Sequence, residues 1–172
     1  LAEQAIHLER NLIKEKVGYQ DQIICSYGGL RLTEFLKNYE FKSKIIKVNN
    51  QITHQVENNF FIIYTGLQRF SKIITNNLSK KIISSKNDKH LGEIYKSTRE
   101  ATKLFHSKNL DLKLLGELMT SQWDRKKKLA LGITNKSIEE LYNLGISNGS
   151  YGAKLLGAGG GGFLLFVVPD DK

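Results

Sequence analysis

Six residues near the end of the chain, Gly157-Ala-Gly-Gly-Gly-Gly162, constrain its fold more than any others. They separate two short apolar runs, one made by Ala153, Leu155 and Leu156 and the other by Phe163 to Val168. Backbone without side chains can turn sharply, cross another backbone closely, or offer bare N–H groups to an anion. The second run is aromatic, leucine-rich and β-branched, as a buried strand is. The segment therefore reads strand, glycine loop, strand. That order excludes two common nucleotide sites. It formally satisfies G-x-G-x-x-G, but a dinucleotide fold needs a helix after the glycines, so that the pyrophosphate meets a helix N-terminus. No Gly-Lys-Ser/Thr follows either, so the segment is not a P-loop. A hairpin turn, a close crossing and a phosphate contact remain open at this point.

A chain of 172 residues with 40% hydrophobic content supports one domain or a large piece of two. Its single cysteine, Cys25, precludes an internal disulfide. No apolar run reaches the roughly 18–20 residues that cross a bilayer. Residues 1–17 are amphipathic and charged, unlike a secretory leader. The expectation is a soluble, cytoplasmic protein with no membrane partner. The net charge of +9 raises nucleic acid as a partner. Yet the lysines are spread along the chain, and the densest cluster, Arg125 to Lys128, occupies one helical turn. We read a solvated helix face and no nucleic-acid partner; phosphorylated small molecules also suit a basic protein. The chain opens on Leu1 inside a helical pattern and closes just after an apolar strand. It reads as a piece of a longer protein.

Leu1, Ala5, Leu8, Leu12 and Ile13 form an apolar stripe that predicts a helix over 1–17, with Gly18 as its C-cap. Asp21 falls in the first turn of a short helix closed by Gly28 or Gly29. A carboxylate there benefits from the positive helix end. Gln20 and Gln22 flank it and make a compact polar cluster. Strands are predicted at 30–36 and 44–48, and the polar stretch 49–59 reads as a turn-prone connection between two lobes. Phe60 to Thr65 reads as a buried strand ending at Gly66, with Arg69 entering a helix over about 69–85. Helices follow near 88–107, 110–131 and 135–148, the last capped by Thr134 or Asn135. Trp123 and Met119 share one helix face and belong to the core. The four histidines show no metal-ligand spacing.

Together, Gly18-Tyr-Gln-Asp-Gln22 with Tyr27-Gly-Gly29, Thr65-Gly66 with Arg69, Trp123, and the stretch from Gly152 to Phe166 resemble the GHMP kinases. The likeness runs over essentially the whole chain and is strongest to the D-glycero-D-manno-heptose 7-phosphate kinases, which look like relatives of L-fucokinase. The resemblance implies an α+β fold. Residues 1–50 would end an N-terminal lobe. Residues 51–172 would form a C-terminal lobe, a ferredoxin-like antiparallel sheet covered by helices and truncated at its end. It also implies transfer of the ATP γ-phosphate to a sugar or sugar phosphate, here the anomeric hydroxyl of a heptose 7-phosphate, with ATP and Mg²⁺ as cofactors. Asp21 matches the acid beside the acceptor hydroxyl, as a base or an orienting group. Gln20, Gln22, Thr65, Gly66 and Arg69 would contact substrate. Glu9, twelve residues before Asp21, matches a Mg²⁺ ligand. Gly157, Gly159, Gly160, Gly161 and Gly162 match the motif that packs against the ATP phosphate loop. That loop, of Pro-x-x-x-Gly-Leu-Gly-Ser-Ser type, is not in this sequence. The partner implied is an N-terminal kinase half, and the chain alone is expected to show little or no kinase activity.

Overall fold

The computed structural model describes residues 1–14, 18–36, 40–67 and 88–170. They fall into two compact units, Leu1–Val48 and Asn49–Lys172.

The first unit begins with helix α1 (Ala2–His7). A single π-helical turn, Leu8–Leu12, follows it. The Ile13 N–H donates to the Leu8 carbonyl five residues back, at 2.9 Å. Lys14 then takes a left-handed φ of 60°. The uninterrupted helix expected over 1–17 is therefore corrected. One widened turn breaks its 3.6-residue register, and Lys14 supplies the left-handed residue assigned to Gly18. The stripe residues Leu8, Leu12 and Ile13 are exposed. Helix α2 (Gln20–Tyr27) buries Gln22 and Ile23. It ends as expected at Gly28, whose φ is 63° and whose N–H donates to the Ile24 carbonyl at 2.8 Å. Strands β1 (Arg31–Phe35) and β2 (Phe41–Ile45) pair antiparallel, with Arg31 opposite Ile45 and Phe35 opposite Phe41. The second strand starts earlier than its expected 44–48, because Phe41 and Ser43 pair across with Phe35 and Thr33.

The second unit opens with helix α3 (Asn50–Asn59), where the sequence reads as a connection. The Asn49 side chain caps it, accepting from the Ile52 N–H at 2.9 Å. Ile52 is buried, and Gln55 exchanges two hydrogen bonds with the Leu110 backbone, at 3.0 and 2.9 Å. A polar stretch is thus held helical by partners 55 residues away. Then come β3 (Phe60–Tyr64), α4 (Asp88–Leu104), α5 (Leu112–Lys127), α6 (Lys136–Ser147), β4 (Gly152–Leu155) and β5 (Phe163–Val167). Asn135 caps α6, and Asp111 caps α5. The sheet order is β3-β5-β4, antiparallel throughout, with Ile62, Leu165 and Lys154 in one cross-strand row. Sheet plus helices make the α+β architecture expected from the sequence. Ala153, Leu155, Leu164 and Phe166 share one face of the sheet and pack with Trp123, Leu129, Ala130, Ile133, Ile138 and Tyr142. The helix expected over 69–85 lies outside the described residues. No helix among those described is long and apolar enough to cross a membrane.

The opposite face carries Lys154, beside a largely apolar groove lined by Phe105, Leu118, Met119, Leu156 and Leu165. Its Nζ donates to Gln122 Oε1. Among the described residues no carboxylate pairs with it. Burial holds its ammonium below the usual lysine range. The unfolded chain then binds the proton more tightly than the folded one, so this position penalises folding most at neutral pH. The penalty fades as pH rises through the folded-state pKa. Lys154→Met should raise the thermal midpoint at pH 7, with a smaller gain at pH 10. Melting curves of the two proteins across that range check it; a gain that grows with pH would contradict it.

Candidate functional site

In the first unit, the turn Leu8–Leu12 carries Glu9, and helix α2 carries Gln20, Asp21 and Gln22 in its first turn. Tyr19 is the N-cap residue of α2 and makes no side-chain cap. Asp21 is therefore not spent as a cap. It is exposed, and among the described residues its carboxylate has no partner. Gln20 is exposed as well. Gln22 points the other way: it is buried, and its Nε2 donates to Glu9 Oε2 at 2.6 Å. A carboxylate only accepts, so the amide nitrogen must face it. The Gln22 Oε1 is buried, without a hydrogen-bond partner among the described residues. Beside this pair, Arg10 donates to the Tyr19 hydroxyl and lies 4.7 Å from the centre of its ring.

In the second unit, the glycine loop connects β4 to β5. Thr65 donates to the Gly162 carbonyl twice, from its N–H and from its hydroxyl, each at 2.9 Å. The Gly162 N–H returns a bond to the Leu67 carbonyl at 3.1 Å. The Gly160 N–H donates to the Ile133 carbonyl at 2.8 Å, and Lys126 Nζ donates to the Gly157 carbonyl. The loop is clamped between the end of β3 and the segment before α6. Close approach demands glycine at two positions. A Cβ on Gly161 would lie 2.6 Å from the Leu67 carbonyl oxygen, and one on Gly159 would lie 2.9 Å from Ile133 backbone. So the amides of Gly160 and Gly162 are committed to protein carbonyls. Thr65, expected against substrate, has turned its hydroxyl hydrogen to the loop. Gly66 follows it with φ 74°. Arg69 lies outside the described residues. The sequence reading missed Lys126 and Ile133 as supports of the loop. Lys126 reads as one more solvated lysine in a basic turn, and no local pattern distinguishes it.

Residues 98–172 match the family described as GHMP kinases C terminal. Its C-terminal part is therefore similar to the C-terminal domain of GHMP kinases. Across its whole length it is 28% identical to the D-glycero-alpha-D-manno-heptose 7-phosphate kinase of Campylobacter jejuni, over 173 aligned residues. Over 90% of its length it is 28% identical to the bifunctional fucokinase/GDP-fucose pyrophosphorylase of Arabidopsis thaliana. It spans 50% of the first relative and 15% of the second. Among solved structures it is similar to the Methanococcus jannaschii mevalonate kinase, with a TM-score of 0.71, 28% identity, and coverage of 99% of this chain and 49% of that one.

The two units differ in what they present. The glycine hairpin is held by hydrogen bonds to Thr65, Leu67, Ile133 and Lys126. The first unit presents charge, with the Asp21 carboxylate open and Glu9 held. Among the described residues no three His, Cys, Asp or Glu side chains gather for a metal. A single held carboxylate still fits Mg²⁺, which keeps several waters and takes only one or two protein carboxylates besides substrate phosphates. Glu9 Oε2 accepts from the Gln22 amide, whose buried Oε1 has no hydrogen-bond partner among the described residues.

Proposed function

We propose that this chain is the acceptor-side half of an ATP-dependent sugar kinase that phosphorylates the anomeric hydroxyl of a heptose 7-phosphate. The observation that carries this reading is the alignment of the entire chain with the Campylobacter jejuni heptose 7-phosphate kinase. The exposed, unpaired Asp21 supports it. Phosphoryl transfer depends mostly on positioning and charge stabilisation. An open carboxylate at a helix start can orient the acceptor hydroxyl and take its proton. Glu9 would hold the Mg²⁺ that neutralises charge on the transferred phosphate. Gln20 and Gly66 would contact the sugar, and Arg69 would clamp the 7-phosphate. The glycine hairpin would brace the ATP loop by packing rather than by wrapping phosphate, since two of its amides are committed. That ATP loop, and ATP binding itself, would come from the other half of the kinase.

A panel of sugars and sugar phosphates with ATP and Mg²⁺, given to the full-length polypeptide that contains this chain, tests the reading. The expected result is turnover on the order of 1–100 per second with a heptose 7-phosphate, and little with free fucose or galactose. Preference for a free sugar would favour a fucokinase-like or galactokinase-like enzyme, in line with the identity to the Arabidopsis protein. No turnover with any sugar would favour a basic, non-catalytic module that retains the fold.

A further inference from the structure

Gln22 was expected to face substrate, yet it is buried and tied to Glu9 at 2.6 Å. A free glutamate on a helical turn samples several rotamers, and a cation must then bear the cost of ordering it. Glu9 is already ordered. Its Oε2 is held by a charge-assisted bond, shorter than a neutral one. The backbone contributes too. Glu9 sits in the π-helical turn Leu8–Leu12, a distortion frequent at functional sites. The turn rotates Glu9 off the register of α1, and helix α2 delivers Gln22 to it across 13 residues of sequence. Only half of the amide is used, because Oε1 is buried without a partner. An unpaired buried acceptor is costly in a folded chain, and the described residues supply no donor for this one.

We infer that Gln22 is a positioning residue: its amide N–H fixes the Glu9 carboxylate for a divalent cation, and its orphaned Oε1 accepts a hydrogen bond from a water on that cation. The inference rests on the proposed reading of Glu9 as the metal-holding carboxylate. It assigns Gln22 to the metal rather than to the sugar, and leaves Gln20 and Asp21, exposed on the same turn, for the acceptor.

The test is Mn²⁺ binding, read from the loss of free-ion EPR signal with ATP present and no sugar, in the full-length polypeptide. Four proteins are compared: unmodified, Glu9→Gln, Gln22→Met, and the double variant. Gln22→Met keeps length and apolar volume but removes the donor and the acceptor. It should weaken Mn²⁺ binding 10- to 100-fold, as losing a partner that orients a metal ligand commonly does. In the Glu9→Gln background it should add less than threefold, because there is no carboxylate left to position. The sugar KM should change little, and Gln22→Met should move the KM for Mg²⁺ far more than kcat. If Glu9→Gln leaves Mn²⁺ affinity unchanged, the reading of Glu9 falls and this inference with it. If Glu9→Gln weakens binding and Gln22→Met does not, the inference alone is overturned. Additive effects in the double variant would also overturn it. Should Gln22→Met fail to fold, Gln22→Asn keeps the amide but withdraws it by one methylene, and must weaken Mn²⁺ binding in the same sense.

Discussion

Asp21→Asn in the full-length polypeptide that contains this chain should, on the proposed reading, lower kcat by about 10²–10⁴-fold, the range contributed by a positioned general base. The substrate KM should stay within a few-fold. Asparagine keeps the size of the side chain and its hydrogen-bonding reach, but it cannot take a proton. The substitution should leave the fold intact, because Asp21 is exposed, caps nothing and has no partner among the described residues. A thermal midpoint within about 2 °C of the unmodified protein would confirm that the loss is chemical. The loose transition state of phosphoryl transfer demands little activation of the nucleophile. A fall of less than tenfold would therefore make Asp21 an orienting group and not a base. Undiminished activity would remove it from the reaction altogether. Steady-state kinetics with saturating ATP, measured for both proteins, decide among these.

The second large effect is on stability. Trp123→Ala should destabilise the chain by about 3–5 kcal/mol, the usual cost of emptying a buried aromatic site. Trp123 is 0% exposed and lies at the centre of the cluster joining α5, α6 and the sheet. Its neighbours Ile133, Ile138, Leu155 and Leu164 are all 0% exposed too, so they have little freedom to collapse into the gap. Lys127 adds to the loss, because its Nζ lies 5.6 Å from the indole ring and 5.5 Å from the ring of Tyr142. At this chain length, each 1 kcal/mol shifts the melting midpoint by about 2–4 °C. The expected fall is then roughly 6–20 °C. Trp123→Phe should cost much less. The indole N–H is buried with no hydrogen-bond partner among the described residues, so its removal relieves an unsatisfied donor while most of the apolar volume stays. Urea unfolding of the three proteins measures both differences. An alanine variant within 1 kcal/mol of the parent would mean that this cluster does not hold the unit together.

Much of the fold is legible in the residues. Phe60 to Tyr64 and Phe163 to Val167 announce strands because β-branched and aromatic side chains fit a pleated surface, but the burial expected of the first is not found: Phe61 to Tyr64 are exposed. Gly28 announces the end of α2 because an L side chain resists the left-handed φ that stops a helix there. Asn135 announces the start of α6 by capping chemistry visible within four residues. Each of these signals is local, so a single chain displays it. Asp21 was legible for the same reason, as an acid in a first helical turn.

Other features depend on partners remote in sequence, and no periodicity records them. Residues 49–59 look like a polar connection, yet they form a helix because Gln55 finds the Leu110 backbone. Gln22 looks like a substrate contact, yet it turns inward and donates to Glu9, 13 residues away on the π-helical turn. The glycine stretch shows the division best. Sequence alone determined that it joins two strands and that it is no dinucleotide fingerprint, since strand-forming residues follow it. Tertiary structure alone decided what its backbone does. The Thr65–Leu67 segment, about a hundred residues upstream, and Ile133, before α6, hold the loop. Buried amides must be paired with whatever carbonyls the fold brings near. Which carbonyls those are is a property of the packed chain and not of any stretch of it.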